Sequence, residues 1–248
     1  LTARQIGPER GGLPLGEMRI LSDVANELTC QRMAREAGIE YAWKQSGTRF
    51  SEARRAHMDW VAKEWDSFKP DVTILAKYMV VLEPDVLSLA PWQVINVHHG
   101  SLPAFIGRRA LRAAIQGGVG MTGATCHFAT ENLDQGPVID QVHFPIDRES
   151  PDYRRPIDEV VRSYIPLMQE AEVMALLRGV GFFLRGGLEV IRNDDVREGE
   201  IEPQVRKEMR LRHAAPHGVD LSQFGPFNLL HAAWATYAER HGLSGPPQ

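Results

Sequence analysis

The segment Val94–Pro103 carries two polar side chains that could act together on one substrate. Asn96 and His98 lie two residues apart in an apolar run that is typical of a buried strand. Alternate side chains of a strand point to the same side. The run ends in a Gly-Ser-Leu-Pro loop, so both residues are expected at the carboxyl end of the strand, where open α/β sheets bind ligands. An amide donor beside an imidazole can stabilise an oxyanion and move protons. Hydrogen bonding to a loop is the commoner role of such a pair taken alone.

An acidic loop, Thr130–Pro137, connects two further β segments. Its Asn and Asp residues are typical of a solvent-exposed turn. Alternatively, Asp134 or Glu131 returns to the same crevice as the carboxylate partner of His98. There it would hold the imidazolium and relay a proton through water.

Two other patterns do not support the sites that they suggest. Residues 118–123 fit the dinucleotide-binding spacing G-x-G-x-x-G, but they follow a helical pattern and precede a β pattern, the reverse of the required order. His98, His99, His127 and Asp134 do not have the spacing of a metal-binding motif, so no metal is expected.

Strands alternate with helices through the first 130 residues, which predicts an α/β sheet with helices on its faces. The predicted strands are Met18–Leu21, Asp71–Ala76, Val94–His98, Gly123–Thr130 and Val138–Ile146. The predicted helices are Val24–Ala37, a helix capped by Ser51 that ends at Phe68, Pro84–Leu89, Ala110–Gln116 and Ile157–Leu184. Pro166 is expected to kink or restart the last helix.

Composition limits the classes to which the protein can belong. The chain has 248 residues and a formal net charge of −4, with 43% hydrophobic and 24% charged residues, as in ordinary globular proteins. The acidic balance argues against nucleic acid as a partner, and no apolar run is long enough to span a membrane. Cys30 and Cys126 form no disulfide framework, which favours reduced thiols in a cytoplasmic protein.

We expect a catalytic domain at 1–193 and an appendage at 194–248. The appendage begins with a stretch rich in Arg and Glu, predicted to be a solvated connector, and continues into a helix-like stretch, Phe227–His241. It would serve either as an oligomerisation arm or as a cover over the core. We expect a homo-oligomer.

Three segments in the same order resemble the 10-formyltetrahydrofolate-dependent formyl transferase fold family. They are Ile95–Gly107, Met121–Phe128 and Thr130–Pro137. Within that family, Leu75–Met79 and the paired His98-His99 are most similar to the formyltetrahydrofolate deformylases, although the regulatory ACT-type domain of those enzymes is expected to be missing.

The resemblance implies a Rossmann-like, mostly parallel sheet with flanking helices, and an enzyme that uses 10-formyltetrahydrofolate as co-substrate without a metal. It implies that Asn96, His98 and Asp134 are catalytic, with His98 protonated when it stabilises an oxyanion. It also implies that the folate pterin lies between two segments and is held largely by backbone groups. The expected folate-binding residues are Met79, Val80, Val81, Leu82, Thr130, Glu131 and Leu133.

Departures from the family pattern concern the side of the site where the formyl acceptor would bind. The first strand-helix unit of the family is shortened or absent, and Gly100 stands where the family usually has Ser. Arg108-Arg109-Ala-Leu replaces a segment that usually carries Ala, Pro and Tyr. Four residues are expected to contact an acceptor or to support the trio from behind: His99, Arg108, Arg109 and His127.

Three hypotheses follow from the resemblance, in order of preference. The first is hydrolysis of 10-formyltetrahydrofolate to formate and tetrahydrofolate. The second is transfer of the formyl group to a specialised amine, an anionic one if Arg108 or Arg109 binds it. The third is a catalytically silent folate-binding protein, against which the intact trio argues.

Overall fold

The computed structural model describes residues 15–23, 30–90 and 93–184, and the backbone of 188–191 and 210–213. Its strands are β1 (Arg19–Ser22), β2 (Glu40–Trp43), β3 (Thr73–Leu75), β4 (Val94–His98), β5 (Met121–Phe128), β6 (Val138–Pro145), β7 (Leu188–Ile191) and β8 (Arg210–His213). Its helices are α1 (Cys30–Glu36), α2 (Glu52–Phe68), α3 (Pro84–Leu87), α4 (Ala110–Gln116) and α5 (Ile157–Leu184), with a 3-10 turn at Pro151–Arg154.

The central sheet has four strands in the order β3-β4-β5-β6. β3 and β4 run parallel, whereas β5 is antiparallel to both β4 and β6. β1 and β2 form a separate parallel pair. The predicted α/β class with flanking helices is confirmed, and the sheet is mixed because parallel pairing is confined to the strands up to His98.

β4 runs through the middle of the protein, between β3 and β5. Its first two residues, Val94 and Ile95, are buried and belong to different hydrophobic clusters. One cluster lies between the sheet and α4 and α5, and the other includes residues of α2 and α3. The polar end of this strand is therefore fixed by cores on both sides.

α5 is a single helix of 28 residues that contains Pro166. Of the two outcomes expected at Pro166, the restart is therefore wrong, and the kink stays a prediction. The helix tolerates the loss of the one backbone hydrogen bond that proline cannot donate. α5 packs against β5 and β6. Gly179 allows this packing, because a Cβ atom at that position would collide with Sγ of the buried Cys126.

α2 is tied to the segment that follows β3 by the fully buried His57. His57 Nδ1–H donates to the Lys44 carbonyl oxygen (2.6 Å), so Nε2 is left to accept from the Tyr78 hydroxyl. Burial is the main cause that lowers the pKa of His57 and raises that of Tyr78. Both groups are therefore neutral at pH 7, as this hydrogen-bonded pair requires.

Several predicted elements differ from those observed. The first strand lies one residue later than predicted, and β3 is shorter than the predicted Asp71–Ala76. The predicted helix Val24–Ala37 is described only at Cys30–Glu36, since 24–29 lie outside the described residues. β2 is not predicted by the sequence, because its four residues are too few to show a strand periodicity, and none of them is buried.

β7 and β8 pair in antiparallel fashion across the predicted boundary at 193/194. Part of the Arg- and Glu-rich stretch, Arg210–His213, is therefore a strand, and the prediction that the rest is a solvated connector stays a prediction. The predicted helix Phe227–His241 lies outside the described residues, and the division into 1–193 and 194–248 stays a prediction. In the part of the chain that is described, no helix combines the length and apolarity that a membrane span requires.

Replacing Gly179 by Ala should lower the free energy of unfolding by about 1–3 kcal/mol, because α5 must move away from β5 to make room for the methyl group. Urea denaturation followed by circular dichroism measures the change. Gly120→Ala is the matched control, since a Cβ atom there meets open space. Adding Cys126→Ala to Gly179→Ala should recover part of the loss. Equal stability of the two glycine variants would contradict this account of the packing.

Candidate active site

His98 is the best-defined side chain at the carboxyl end of β4. Its ring is 4% exposed, and its Nε2 lies 2.6 Å from the carbonyl oxygen of Phe105. A carbonyl oxygen only accepts, so Nε2 carries a proton and donates it. The proton that His98 can exchange is therefore the one on Nδ1.

Gly100 makes this hydrogen bond sterically possible. A Cβ atom on Gly100 would lie 2.8 Å from His98 Nε2, 2.8 Å from the Phe105 oxygen and 2.6 Å from Ala110 Cβ. Real Cβ contacts are not this short, so any side chain at this position would displace one of the three groups. The absence of a side chain at Gly100 is thus a requirement of the observed His98 geometry.

Asp134 brings a carboxylate to the free nitrogen of His98. Asp134 Oδ2 lies 3.4 Å from His98 Nδ1 and accepts a hydrogen bond from the backbone N–H of Gly107 (3.0 Å). The carboxylate side chain is 7% exposed. Asp134 adopts φ = 55°, a left-handed conformation that Asp tolerates better than most residues. Of the two acidic residues considered for this position, Asp134 is thus the one that meets His98, whereas Glu131 is exposed.

Asn96 reaches the same cluster through His127. His127 Nδ1–H donates to the Phe128 carbonyl (2.8 Å), so its Nε2 accepts from the Asn96 amide (3.1 Å). The second amide hydrogen of Asn96 has no hydrogen-bond partner among the described residues and is available to a ligand. His127 Nε2 also lies 4.0 Å from Asp134 Oδ1. His127, which is 2% exposed, therefore orients the trio from behind.

Buried polar groups hold the loop that follows β4. The Thr125 hydroxyl donates to the Gly100 carbonyl (2.7 Å) and accepts from the Leu102 N–H (3.1 Å). Gln141, which faces Thr125 across β5 and β6, donates to the Thr125 hydroxyl oxygen (2.9 Å) and to the Leu102 carbonyl (2.8 Å). The sequence did not indicate Thr125 or Gln141, because their meeting depends on strand register.

Burial governs the charge of the two histidines. It is the largest effect on both and lowers the pKa of His98 and of His127, while the neighbouring carbonyl groups and Asp134 act in the opposite direction. His98 is therefore neutral at pH 7 in the free protein. The predicted protonated form requires uptake of a proton at Nδ1, where Asp134 would stabilise it.

The expected folate-binding residues divide into buried and exposed side chains. Val80 and Leu82 are buried in a hydrophobic cluster, against which Ala129 at the start of the acidic loop also packs. Their side chains are therefore not available to a ligand. The side chains of Met79, Val81 and Leu133 are about half exposed, Thr130 is partly exposed, and Glu131 is exposed.

A cavity of about 620 Å³, which we call the His99 cavity, lies beside the trio. Its lining includes His99, Arg108 and Arg109, three of the four residues expected on the acceptor side. The fourth, His127, is not part of the lining. The rings of His98 and His99 are 5.1 Å apart and connect the cavity to the trio. The cavity does not include the expected folate segments.

Two lining residues that sequence reasoning missed are Lys77 and Glu172. They form an ion pair although they are 95 positions apart in the chain. Lys77 belongs to the motif Leu75–Met79, on which the family resemblance partly rests, but the neighbouring sequence does not indicate an ion-pair partner for it. No group of three His, Cys, Asp or Glu side chains suited to a metal ion occurs among the residues that the structure describes.

The family model for formyl transferases matches residues 20–155, more than half of the chain. The resemblance inferred from the motifs is thereby confirmed. A formyltetrahydrofolate deformylase of Escherichia coli (strain K12) is 44% identical over 94 residues, which are 38% of this chain and 34% of that protein. The corresponding protein of Haemophilus influenzae is 45% identical over 94 residues, with the same coverage. The chain thus spans about a third of the length of these curated relatives.

Solved structures extend the likeness to most of the chain. Glycinamide ribonucleotide transformylase 1 from Symbiobacterium toebii is 27% identical, with a TM-score of 0.64, and covers 85% of this chain and 86% of its own. A formyltetrahydrofolate deformylase from Pseudomonas syringae is 28% identical, with a TM-score of 0.63, and covers 76% of this chain and 58% of its own. The fold is therefore common to proteins named as transferases and as deformylases.

The two buried histidines of the site, His98 and His127, should be neutral at pH 7, with the proton of His98 on Nε2 and that of His127 on Nδ1. Heteronuclear NMR of the imidazole rings distinguishes these tautomers, with the exposed His143 as the reference signal. Because their folded-state pKa values lie below the ordinary value of about 6.5, the unfolded chain binds protons first. The melting temperature should therefore fall as the pH drops below about 6.5. An imidazolium signal for His98 at pH 7 would contradict the assignment.

Proposed function

Because the chain belongs to the formyl transferase family, we propose that it is an enzyme that hydrolyses 10-formyltetrahydrofolate to formate and tetrahydrofolate. The observation that carries the proposal is the meeting of the Asp134 carboxylate with His98 Nδ1 at 3.4 Å. Asn96 joins them through His127. An amide donor, a proton-exchanging imidazole and a carboxylate are the groups that addition of water to a formyl carbonyl requires.

Asn96 and His98 would act on the oxygen of the formyl group. Attack by water on this amide-like carbonyl produces a tetrahedral oxyanion. The free amide hydrogen of Asn96 would donate to that oxygen, and a proton on His98 Nδ1 would stabilise the same charge. Removing one donor of this kind slows comparable reactions by about 10²–10³-fold.

Asp134 would move the proton. Its carboxylate takes a proton from the attacking water as the new C–O bond forms. The proton then passes to N10 of the folate as the C–N bond breaks, which leaves formate and tetrahydrofolate. Because Gly107 N–H and His98 hold the carboxylate in place, it needs no rearrangement before the transfer.

The folate would lie beside the exposed side chains of Met79, Val81 and Leu133. Exposed apolar side chains suit a flat heteroaromatic ring such as a pterin. The buried Val80 and Leu82 would contribute backbone contacts only. No metal takes part in the proposed reaction.

Transfer to an amine is the second candidate, and the His99 cavity is the observation that favours it. At about 620 Å³ the cavity is large enough for a second substrate. Arg108 and Arg109 in its lining would select an anionic amine. Assay of formate and of formylated amine separates the two reactions, and turnover of either kind would exclude a silent folate-binding protein. The homo-oligomer and the cytoplasmic location remain predictions.

Asp134→Asn should slow formate release by about 10²–10⁴-fold while folate affinity changes little, because the amide cannot take up the proton. Asn keeps the side-chain volume and tolerates the left-handed backbone of residue 134. Steady-state formate production and the dissociation constant of tetrahydrofolate are the measurements. Asp59→Asn on the exposed face of α2 is the control. Unaltered turnover of Asp134→Asn would remove Asp134 from the mechanism.

Gly100→Ala should lower turnover by about 10²-fold, since its methyl group must displace His98 or the Phe105 carbonyl. The pH at which His98 titrates should change in the same variant, because Nε2 loses its acceptor. Gly120→Ala serves as control for a methyl group added in open space. If Gly100→Ala has normal activity and an unaltered His98 titration, the Phe105 contact is not required.

A further inference from the structure

The ion pair between Lys77 and Glu172 has no part in the mechanism described above. Lys77 Nζ lies 2.7 Å from one oxygen of Glu172 and 2.5 Å from the other. Glu172 is an anion on the apolar helix α5 and is only 5% exposed, whereas the lysine side chain is 64% exposed. A buried carboxylate is strongly destabilising unless it is paired, so the fold depends on a cation at this position.

The pair lies close to the proposed catalytic trio. Lys77 follows the carboxyl end of β3, next to the end of β4 that carries His98. Glu172 is one of the charges that act on His98. Both residues line the His99 cavity. The backbone of Lys77 has φ = 58°, a left-handed conformation that lysine seldom adopts. The surrounding structure must therefore stabilise this backbone conformation, from which the side chain reaches Glu172.

The carboxylates in the cavity lining are both occupied by cations of the chain itself. Glu172 is paired with Lys77, and Asp158 is paired with Arg112. The side chains of Arg108 and Arg109 have no ion-pair partner among the residues described by the structure. The wall therefore carries more positive than negative charge.

Such a wall disfavours an amine without an anionic group as acceptor of the formyl group. A protonated amine is repelled by the surplus positive charge. An amine in the attacking, neutral form needs a hydrogen-bond acceptor in the cavity to orient its N–H groups, and Glu172, the cavity-lining carboxylate that acts on His98, already holds the ammonium group of Lys77. Water needs no such acceptor, because Asp134 positions it.

We propose that Lys77 is a specificity-determining residue that reserves the site for water by occupying Glu172. This inference rests on the proposed use of 10-formyltetrahydrofolate. In the natural protein the oxygen of water forms the new bond to the formyl carbon, the bond to N10 breaks, and the proton of water goes to N10. Without Lys77, a primary amine held by Glu172 forms a C–N bond instead. Its proton goes to N10, and the products are a formamide and tetrahydrofolate.

The test is the ratio of formamide to formate made from 10-formyltetrahydrofolate in the presence of glycinamide, a small primary amine. This ratio does not depend on how much of a variant is folded. Lys77→Met should raise it at least 10-fold over the natural protein. Lys77→Gln should raise it as well and is the second variant if the methionine protein is unstable. Lys77→Arg, which keeps the cation, and Lys63→Met, at an exposed position of α2, should leave it unaltered.

Removing both partners tests the pair itself. Lys77→Met combined with Glu172→Gln should lose the gained transfer, since no carboxylate remains to hold the amine. An unaltered ratio in Lys77→Met and Lys77→Gln, with formate still released, would refute the role of Lys77 alone. Preferential formylation of glycinamide by the natural protein would also refute it. Absence of both products from the natural protein would refute the proposed function and, with it, the role of Lys77.

Discussion

The site depends on a buried imidazole that is held at one nitrogen and free at the other. Because His98 Nε2–H is committed to the Phe105 carbonyl, only Nδ1 can exchange a proton, and it faces Asp134. Burial lowers the pKa of His98, so the ring is neutral in the free protein. The missing side chain at Gly100 leaves room for the contact between His98 and the Phe105 carbonyl, and the hydrogen bonds of Thr125 hold the loop that follows β4.

Two differently built surfaces flank this imidazole. On one side, exposed apolar residues alternate with buried ones that anchor the segment in the core, an arrangement suited to a flat ring. On the other side, the His99 cavity is lined with charges that are largely paired within the chain. The same fold occurs in proteins named as transferases and as deformylases, and in the proposed function the second side is the one that would distinguish water from an amine.

The chemistry-bearing residues of β4 could be predicted because they depend on local periodicity. Alternation along an apolar strand put Asn96 and His98 on one side. The acidic loop offered Glu131 or Asp134 as the carboxylate, and only the family resemblance singled out Asp134. The links between them could not be predicted. His127 meets Asn96 only through the antiparallel register of β4 and β5, and Lys77 meets Glu172 only because α5 packs across the sheet. The presence of proline at position 166 also favoured a restart or a kink of the helix. The observed α5, which packs against β5 and β6, does not restart there.

The source of the oxygen in the product tests the central claim most directly. Turnover of 10-formyltetrahydrofolate in ¹⁸O-labelled water, followed by mass spectrometry of the formate, reports whether solvent attacks the formyl carbon. The account predicts formate that contains one labelled oxygen, formed together with one equivalent of tetrahydrofolate and without any amine present. Formate that lacks the label, or consumption of the folate only when an amine is added, would contradict it.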